Sequence, residues 1–101
     1  MTVLVITGTF RLPAANLEAA RPAMAAMVAA SRAEAGCLHY SYGEDVLEPG
    51  LIHVAEHWAS RETLAAHGQS EHIKAWRAAW PALGIGERDL TLFEADEGAA
   101  I

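Results

Sequence analysis

The chain has 101 residues, and its thirteen acidic and seven basic side chains give a formal net charge of −6. Hydrophobic residues make up 52% of it and charged residues 20%, which excludes intrinsic disorder and predicts one compact domain. The acidic balance and the lack of any Lys/Arg cluster argue against nucleic-acid or anionic-membrane partners.

The expected compartment follows from the cysteine content and the N-terminus. The single cysteine, Cys37, cannot form an internal disulfide, so a disulfide-stapled secreted scaffold is not indicated. The opening run MTVLVITGTF lacks a basic start and is too short for a signal peptide, and no stretch approaches the ~20 apolar residues of a membrane span. We therefore expect a soluble, cytoplasmic protein.

The N-terminal third predicts a strand followed by a helix. Between Thr2 and Leu12 the run VLVITGTF is apolar at consecutive positions, which is typical of a strand covered on both faces. An alanine-rich helix follows, with Asn16 as its N-cap, Pro22 as a kink or as its regular start, and Gly36 as a left-handed cap. The buried stripe of this helix is predicted to comprise Leu17, Ala20, Met24, Met27, Val28 and Ser31.

Two strands are predicted next, joined by a turn at Glu48-Pro49-Gly50. The segment CLHYSYGED alternates, which places Leu38, Tyr40 and Tyr42 on one face and the polar residues between them on the other. The segment LIHVAEHW, Leu51 to Trp58, is also predicted to be a strand, because the Pro-Gly turn prevents a helix from entering it.

Two short helices and a strand complete the chain. Ser60 is a good N-cap for RETLAAH, which reaches Gly68, and Ser70 is one for a second helix up to Pro81. The second helix has an apolar stripe at Ile73, Trp76, Trp80 and Leu83. With DLTLFEA as the last strand, the order β-α-β-β-α-β predicts an α+β, ferredoxin-like fold with two helices on one face of a four-stranded antiparallel sheet. We expect one domain over residues 1–96 and a short, frayed acidic tail over 97–101.

The run HVAEH matches the H-x-x-E-H pattern of inverted zincin peptidases, which requires a helix. In a strand, a rise of about 3.3 Å per residue separates His53 from His57 by roughly 13 Å. Glu56 would also face away from both histidines, which we assign to the sheet face remote from the helices. We therefore expect no zinc site there.

The predicted sheet has one face more than the helices can cover. The segments Val3–Ile6 and Leu90–Phe93 are nearly apolar at every position, so both faces of these strands carry apolar side chains. Because soluble monomers rarely expose large contiguous apolar patches, we expect a second copy of the sheet to pack on the open face, giving a homodimer.

Three spaced segments, SRAEAGCLHYSY, LIHVAEHWAS and ETLAAHGQSEHIKAW, resemble the antibiotic biosynthesis monooxygenase (ABM) family over about Phe10 to Trp80. The resemblance implies an ABM-like domain over residues 1–96 that forms a dimeric α+β barrel of ferredoxin-like subunits. It further implies oxidation of polyphenols or hydroquinones with dioxygen and no flavin, haem or metal. The haem-degrading branch of the family has an asparagine on the first strand and a late histidine ligand. Those positions fall near Gly8 or Thr9 and on Arg77, so haem degradation is disfavoured.

A cofactor-free oxygenase needs a base beside a mostly apolar pocket that excludes bulk water. His67 ends the short helix at Gly68 and His72 opens the next, so either imidazole could reach a cavity between helices and sheet. We expect His67 to be the base and His72 to be the second choice, since an unperturbed histidine titrates near ~6.5. The predicted substrate-binding wall comprises Tyr40, Val54, Glu56, Trp58, Leu64 and Trp76.

These residues also have structural interpretations. His67 near a helix C-terminus would complement the carbonyl dipoles, and His72 would be a solvated first-turn residue. Aromatic residues at helical spacing usually pack, so Trp58, Trp76 and Trp80 are expected to belong mainly to the core.

Four further side chains are assigned supporting roles. Glu56 is expected either to orient a histidine or to pair with Arg77 or another cation. Cys37 and His39 are expected on one strand face, but no third group orients them, so Cys37 is predicted to be a small buried hydrophobe. At the end of the first helix, ion pairs are expected for Arg32 and Glu34.

Three functions therefore remain open alongside the disfavoured haem chemistry. The favoured one is a cofactor-independent monooxygenase whose partners are a small aromatic substrate, dioxygen and a second copy of the chain. The alternatives are a non-catalytic dimeric module that binds a hydrophobic aromatic metabolite, and an isomerase or dehydratase that uses the same base without oxygen.

Overall fold

The computed structural model describes all 101 residues and has the predicted α+β order, with helices on one face of a four-stranded antiparallel sheet. The strands are β1 (Val3–Arg11), β2 (Cys37–Glu44), β3 (Leu51–Trp58) and β4 (Gly86–Ala95), and their spatial order is β2-β3-β1-β4. The helices are α1 (Leu17–Arg32), α2 (Arg61–Gly68) and α3 (Glu71–Leu83), and a short 3-10 turn (Ala14–Asn16) precedes α1. The ferredoxin-like prediction is confirmed. No helix combines the length and hydrophobicity needed to cross a bilayer.

Helix α1 begins after Asn16, as predicted, but the Asn16 side chain does not cap it. Its Nδ2 donates instead to the Leu83 carbonyl oxygen at 2.9 Å, which ties the start of α1 to the end of α3. Pro22 lies inside the continuous helix and does not mark its start. The buried residues of α1 are Leu17, Ala20, Met24, Met27 and Ser31, and Val28 is half-buried.

The turn between α1 and β2 depends on Gly36. Helix α1 ends at Arg32, so Gly36 stands four residues beyond it rather than at its cap, although its φ of +79° is left-handed as predicted. A Cβ at this position would lie 2.2 Å from Cγ2 of Thr63 on α2. Glycine is therefore required both by the backbone conformation and by the close approach of α2.

Strand β2 contains a β-bulge that the alternating sequence did not predict. The register of β2 on β3 shifts between Cys37 and His39, which leaves Leu38 as the extra residue. Cys37 therefore shares the helix-covered face with Tyr40, whereas His39 lies on the opposite face. The predicted common face of Cys37 and His39 is wrong, as is the placement of Leu38 with the tyrosines, since Leu38 is 56% exposed.

Strand β3 alternates as predicted. Ile52, Val54, Glu56 and Trp58 face the helices and are buried. The histidines of HVAEH lie on the other face, across the sheet from Glu56. The core between sheet and helices comprises Leu4, Phe10, Leu12, Leu17, Ala20, Met24, Met27, Tyr40, Ile52, Val54, Trp58, Ile73 and Trp76.

Local capping starts α2 and α3 where it was predicted. The Ser60 hydroxyl accepts from the Thr63 backbone N–H, and the Thr63 hydroxyl accepts from the Ser60 N–H, forming a capping box. Ser70 caps α3 with a single bond, in which its hydroxyl oxygen accepts from the Ile73 backbone N–H. Helix α3 continues two residues past Pro81, its predicted end, and stops before Gly84, whose φ is +71°.

No helix of this chain covers the opposite face of the sheet. Its outward side chains, inferred from strand alternation, are Val3, Val5, Thr7, Thr9, Arg11, His39, Ser41, Leu51, His53, Ala55, His57, Asp89, Thr91, Phe93 and Ala95. This face is more polar than predicted, because Ile6, Leu90 and Leu92 point to the helix side. Its apolar part centres on Val5 and Phe93, which pair across β1 and β4.

Candidate active site

A cavity of about 230 Å³ lies between the helices and the helix-covered face of the sheet. An apolar cavity of about 150 Å³ accommodates benzene, so this one has room for a substituted aromatic ring. Its apolar and aromatic wall comprises Ile6, Phe10, Met27, Tyr40, Tyr42, Val54, Leu64, Ile73, Trp76, Trp80 and Leu90. The remaining lining residues are Glu56, His67, Gly68, Arg77 and Arg88.

The structure brings six of the eight predicted site residues to this cavity, namely Tyr40, Val54, Glu56, Leu64, His67 and Trp76. Trp58 and His72 are not among its lining residues. Trp58 is fully buried, with its ring centroid 4.6 Å from that of His67, so it supports the wall from behind. The catalytic and binding roles assigned to these residues stay predictions.

Glu34 joins the two predicted histidines. Its Oε1 accepts a hydrogen bond from His67 Nδ1 at 2.8 Å and also lies within hydrogen-bonding distance of His72 Nε2. The His67 side chain is only 5% exposed and that of Glu34 15%. Because Nδ1 is engaged by the carboxylate, Nε2 is the His67 nitrogen left for a ligand.

The ion pairs predicted at the end of α1 are found for Glu34, whose contacts with His67 and His72 are ion pairs when the imidazoles are protonated, but not for Arg32. Glu34 has histidine partners, and Arg32 donates from Nε to the Tyr40 carbonyl oxygen at 2.7 Å, which is no ion pair. Glu34 was therefore missed as a site residue. The S-R-x-E-x-G-C segment that carries the family resemblance contains Glu34, and this was the signal available for finding it.

The same three side chains form a possible metal-ligand set. The ligand atoms of Glu34, His67 and His72 lie within 4.8 Å of one another. Two imidazoles and one carboxylate are a donor set that suits transition-metal ions such as Zn²⁺. These atoms also satisfy one another by hydrogen bonding, so the geometry does not demand an ion.

Glu56 is a buried carboxyl in the cavity wall. It is 5% exposed, and Trp58 Nε1 donates to its Oε1 at 3.0 Å. Glu56 was predicted to contact a histidine or to pair with a cation, but its hydrogen-bond partner is the indole of Trp58. Burial raises the pKa of Glu56, while the Trp58 hydrogen bond and the charges of His67 and Arg88 act in the opposite direction. A carboxyl group of this kind can hold a proton beside a bound ring.

Two tyrosines on β2 contribute hydroxyl groups to the cavity. The Tyr40 and Tyr42 hydroxyl oxygens are 3.1 Å apart. Burial raises the pKa of Tyr42 to about 12 and raises that of Tyr40 still further. Both phenols therefore stay protonated at neutral pH and are able to donate hydrogen bonds. Tyr42 lines the cavity beside Tyr40, as expected from their common face in the predicted strand.

Aromatic rings from three elements pack around the cavity. Phe10 of β1 makes edge-on contacts with Tyr42 and Trp76, with ring centroids 5.4 and 6.0 Å apart. Trp76 in turn packs perpendicular to Trp80 at 6.3 Å. Trp58 and Trp76 are core residues, as predicted, whereas Trp80 is half-buried at the cavity edge. Phe10 was missed as a lining residue because its contact with Trp76 links β1 with α3, and Trp80 had been expected in the core.

The cysteine is half-buried and faces the helices. Burial, reinforced by the carboxylates of Glu34 and Glu56, raises the pKa of the Cys37 thiol. This favours the thiol over the nucleophilic thiolate, in keeping with its predicted packing role.

The model of the antibiotic biosynthesis monooxygenase family matches residues 3–79. The chain belongs to this family. A protein from Deinococcus radiodurans that bears the provisional name antibiotic biosynthesis monooxygenase is 26% identical, with 100% of this chain and 98% of that one covered and a TM-score of 0.86.

Two other solved structures are similar over nearly their whole length. PA3566 from Pseudomonas aeruginosa is 28% identical, with 97% of this chain and 95% of that one covered and a TM-score of 0.76. Rv0793 from Mycobacterium tuberculosis is 27% identical, with coverage of 99% and 98% and a TM-score of 0.74. No curated protein matches the sequence. Family and neighbours together support a monooxygenase-like role in general terms.

Proposed function

We propose that this protein is a cofactor-independent monooxygenase that oxidises a small aromatic hydroquinone or polyphenol with dioxygen. The observation that carries the proposal is the placement of His67, which lines an aromatic cavity while Glu34 engages its Nδ1 at 2.8 Å. Nε2 of His67 then accepts the phenolic proton. The Glu34 carboxylate orients the imidazole ring of His67 and stabilises the imidazolium that forms.

Removal of the phenolic proton leaves an electron-rich substrate anion, and the rest of the cavity wall encloses it. Phe10, Tyr42 and Trp76 surround the ring and keep bulk water away from it. Dioxygen takes its electrons from the substrate itself, so one hydroquinone and one dioxygen give one hydroxyquinone and one water, and no external reductant is needed. In this scheme one oxygen atom enters the ring and the other leaves as water.

A homodimer is part of the proposal. The sheet face remote from the helices has no cover within the chain, and it carries Phe93 at 51% exposure beside Val5. A second copy packed there about a two-fold axis would bury this patch and shield the sheet beneath the cavity.

Oxygen uptake with a panel of hydroquinones tests the activity, using protein freed of metals by chelation. We expect uptake above autoxidation, and His67→Ala should lower the rate by about 10²-fold or more while binding of the aromatic changes little. His53→Gln is the matched control, because His53 lies on the other sheet face and glutamine can keep its hydrogen bond to Asp45.

Other outcomes separate the competing functions. Uptake no faster than autoxidation across the panel contradicts the proposal. Tight binding without any conversion would identify a binding module, and conversion under anaerobic conditions would identify an isomerase or dehydratase. Haem degradation has little support from the cavity, since Arg77 offers no iron ligand and a Cβ at Gly8 would lie 1.9 Å from the Asp89 carbonyl oxygen.

A further inference from the structure

The basic side chains of the cavity differ from all others in the chain. Of the seven Lys and Arg residues, five have a hydrogen-bond or ion-pair partner, namely Arg11, Arg21, Arg32, Arg61 and Lys74. The two without one are Arg77 on α3 and Arg88 on β4, and both line the cavity. Both arginines are exposed, so water solvates them in the free protein, and neither is held in an ion pair that a ligand would have to break.

A third unpaired donor lies at the same place. Trp80 Nε1 is the one buried side-chain nitrogen or oxygen without a hydrogen-bond partner, and Trp80 lines the cavity too. The Arg88 guanidinium carbon is 6.0 Å from the Trp80 ring centroid. Arg77 precedes Trp80 by three residues on α3, so both lie on the same side of the helix. Buried donors in native proteins nearly always have a partner, which here must be water or a ligand.

Arg88 and Glu56 line different parts of the cavity wall. Glu56 lies on β3, Arg88 lies on the edge strand β4, and β1 runs between the two strands. Glu56 pairs with Ile6 of β1, whereas Arg88 stands near the other end of that strand. A ring bound beside His67 and Glu56 could therefore extend a substituent toward Arg88 without displacing the reacting hydroxyl group.

We propose that the substrate is a hydroxylated aromatic ring with a carboxylate substituent, which Arg77 and Arg88 bind while Trp80 Nε1 donates to the same group. This inference rests on the proposed function for the hydroxylated ring and adds the anionic substituent. Guanidinium groups match carboxylates in shape and charge, and such charge-assisted hydrogen bonds are stronger than neutral ones. The open, polar end of the cavity thus selects the substituent, and the aromatic end holds the ring.

Two probes with the same hydroxylated ring, one anionic and one neutral, test the proposal: 2,5-dihydroxybenzoate and its methyl ester. Dissociation constants are measured without oxygen by calorimetry, so that no turnover interferes. We expect the acid to bind at least tenfold more tightly than the ester, and added NaCl to weaken the acid alone. Arg77→Gln and Arg88→Gln should each weaken the acid several-fold, and the double variant should bind acid and ester equally.

Arg61→Gln is the matched control, because Arg61 is an exposed arginine that pairs with Glu94 outside the cavity. It should leave both dissociation constants unchanged, and thermal unfolding shows whether each variant is folded. Equal binding of acid and ester to the wild type overturns the inference, as does a preference that survives the double substitution. Failure of both probes to bind at millimolar concentration also overturns it.

Oxygen uptake separates this inference from the proposed oxygenation. If neutral hydroquinones are oxidised but the acid has no advantage, the oxygenase stands and the carboxylate site is wrong. If the acid is preferred through both arginines but oxygen is never consumed, the carboxylate site stands and the oxygenase is wrong.

Discussion

Glu34 Oε1 and His67 Nδ1 are 2.8 Å apart, and this hydrogen bond links the turn after α1 to the last turn of α2. The bond is largely sheltered from water, because both side chains are mostly buried. A charged acceptor at Nδ1 selects the tautomer with the proton on that nitrogen. Glu34 is thus placed as a positioning residue for the proposed base.

Glu34→Gln should separate positioning from binding. Glutamine keeps an acceptor oxygen but loses the charge that stabilises the imidazolium, so we expect kcat for hydroquinone oxidation to fall by about 10²-fold. KM should change little, because Glu34 does not line the cavity. Steady-state oxygen uptake measures both constants. Glu62→Gln, at an exposed position in the first turn of α2, is the control, and a Glu34→Gln enzyme with wild-type kcat would refute the role.

Gly36→Ala should destabilise the protein through the turn that places Glu34. A non-glycine residue at φ +79° costs roughly 1–3 kcal/mol from the backbone alone, and the new Cβ would also press on Thr63 at 2.2 Å. The free energy of unfolding, measured in urea, should fall by at least that amount. Gly43→Ala is the control, since nothing lies within 4 Å of its Cβ position, and it should change stability by no more than about 0.5 kcal/mol.

The pH dependence of stability should report the buried Glu56 carboxyl. Burial raises its pKa in the folded state, so at pH values between the ordinary and the raised pKa the folded protein binds more protons than the unfolded one. Stability therefore falls as pH rises through this range, and below the ordinary pKa the group contributes no pH-dependent change. Glu56→Gln keeps an acceptor for Trp58 and removes the titration.

The stability of Glu56→Gln relative to the wild type should consequently increase from pH 4 to pH 7. Urea unfolding at several pH values in this range measures the difference, and comparing pH values cancels any constant effect of the amide. A difference that stays flat across the range would show that burial does not control this carboxyl. Trp58→Phe is a useful companion, because loss of the indole donor should strengthen the pH dependence.

The elements that the sequence predicted well are those fixed by local chemistry. Ser60 and Ser70 start their helices as expected, because an N-cap needs only a hydroxyl and the next three residues. The strand assignment of HVAEH depended on the Pro49-Gly50 turn before it, and it correctly excluded the helical zinc pattern. Alternation along β3 then placed Glu56 in the cavity wall.

The features that were missed depend on contacts between distant segments. The bulge at Leu38 exists only relative to the register of β3, so alternation within CLHYSYGED could not reveal it. The Glu34–His67 bond joins residues 33 positions apart and requires α2 to approach the turn at Gly36. Phe10 lines the cavity through its contact with Trp76, which exists only when β1 packs near α3.

Phe93→Asp should weaken the proposed homodimer. Phe93 is 51% exposed on the sheet face that no helix covers, and two-fold symmetry would bring both copies of any substitution into one interface. Burying two unpaired carboxylates there is costly, so the dimer dissociation constant should rise at least tenfold. Val46→Asp makes the same kind of change at a 96% exposed position outside the sheet and should leave association unaltered. Sedimentation velocity at micromolar concentration compares the three proteins, and a wild type that sediments as a monomer would show that this face stays open to water.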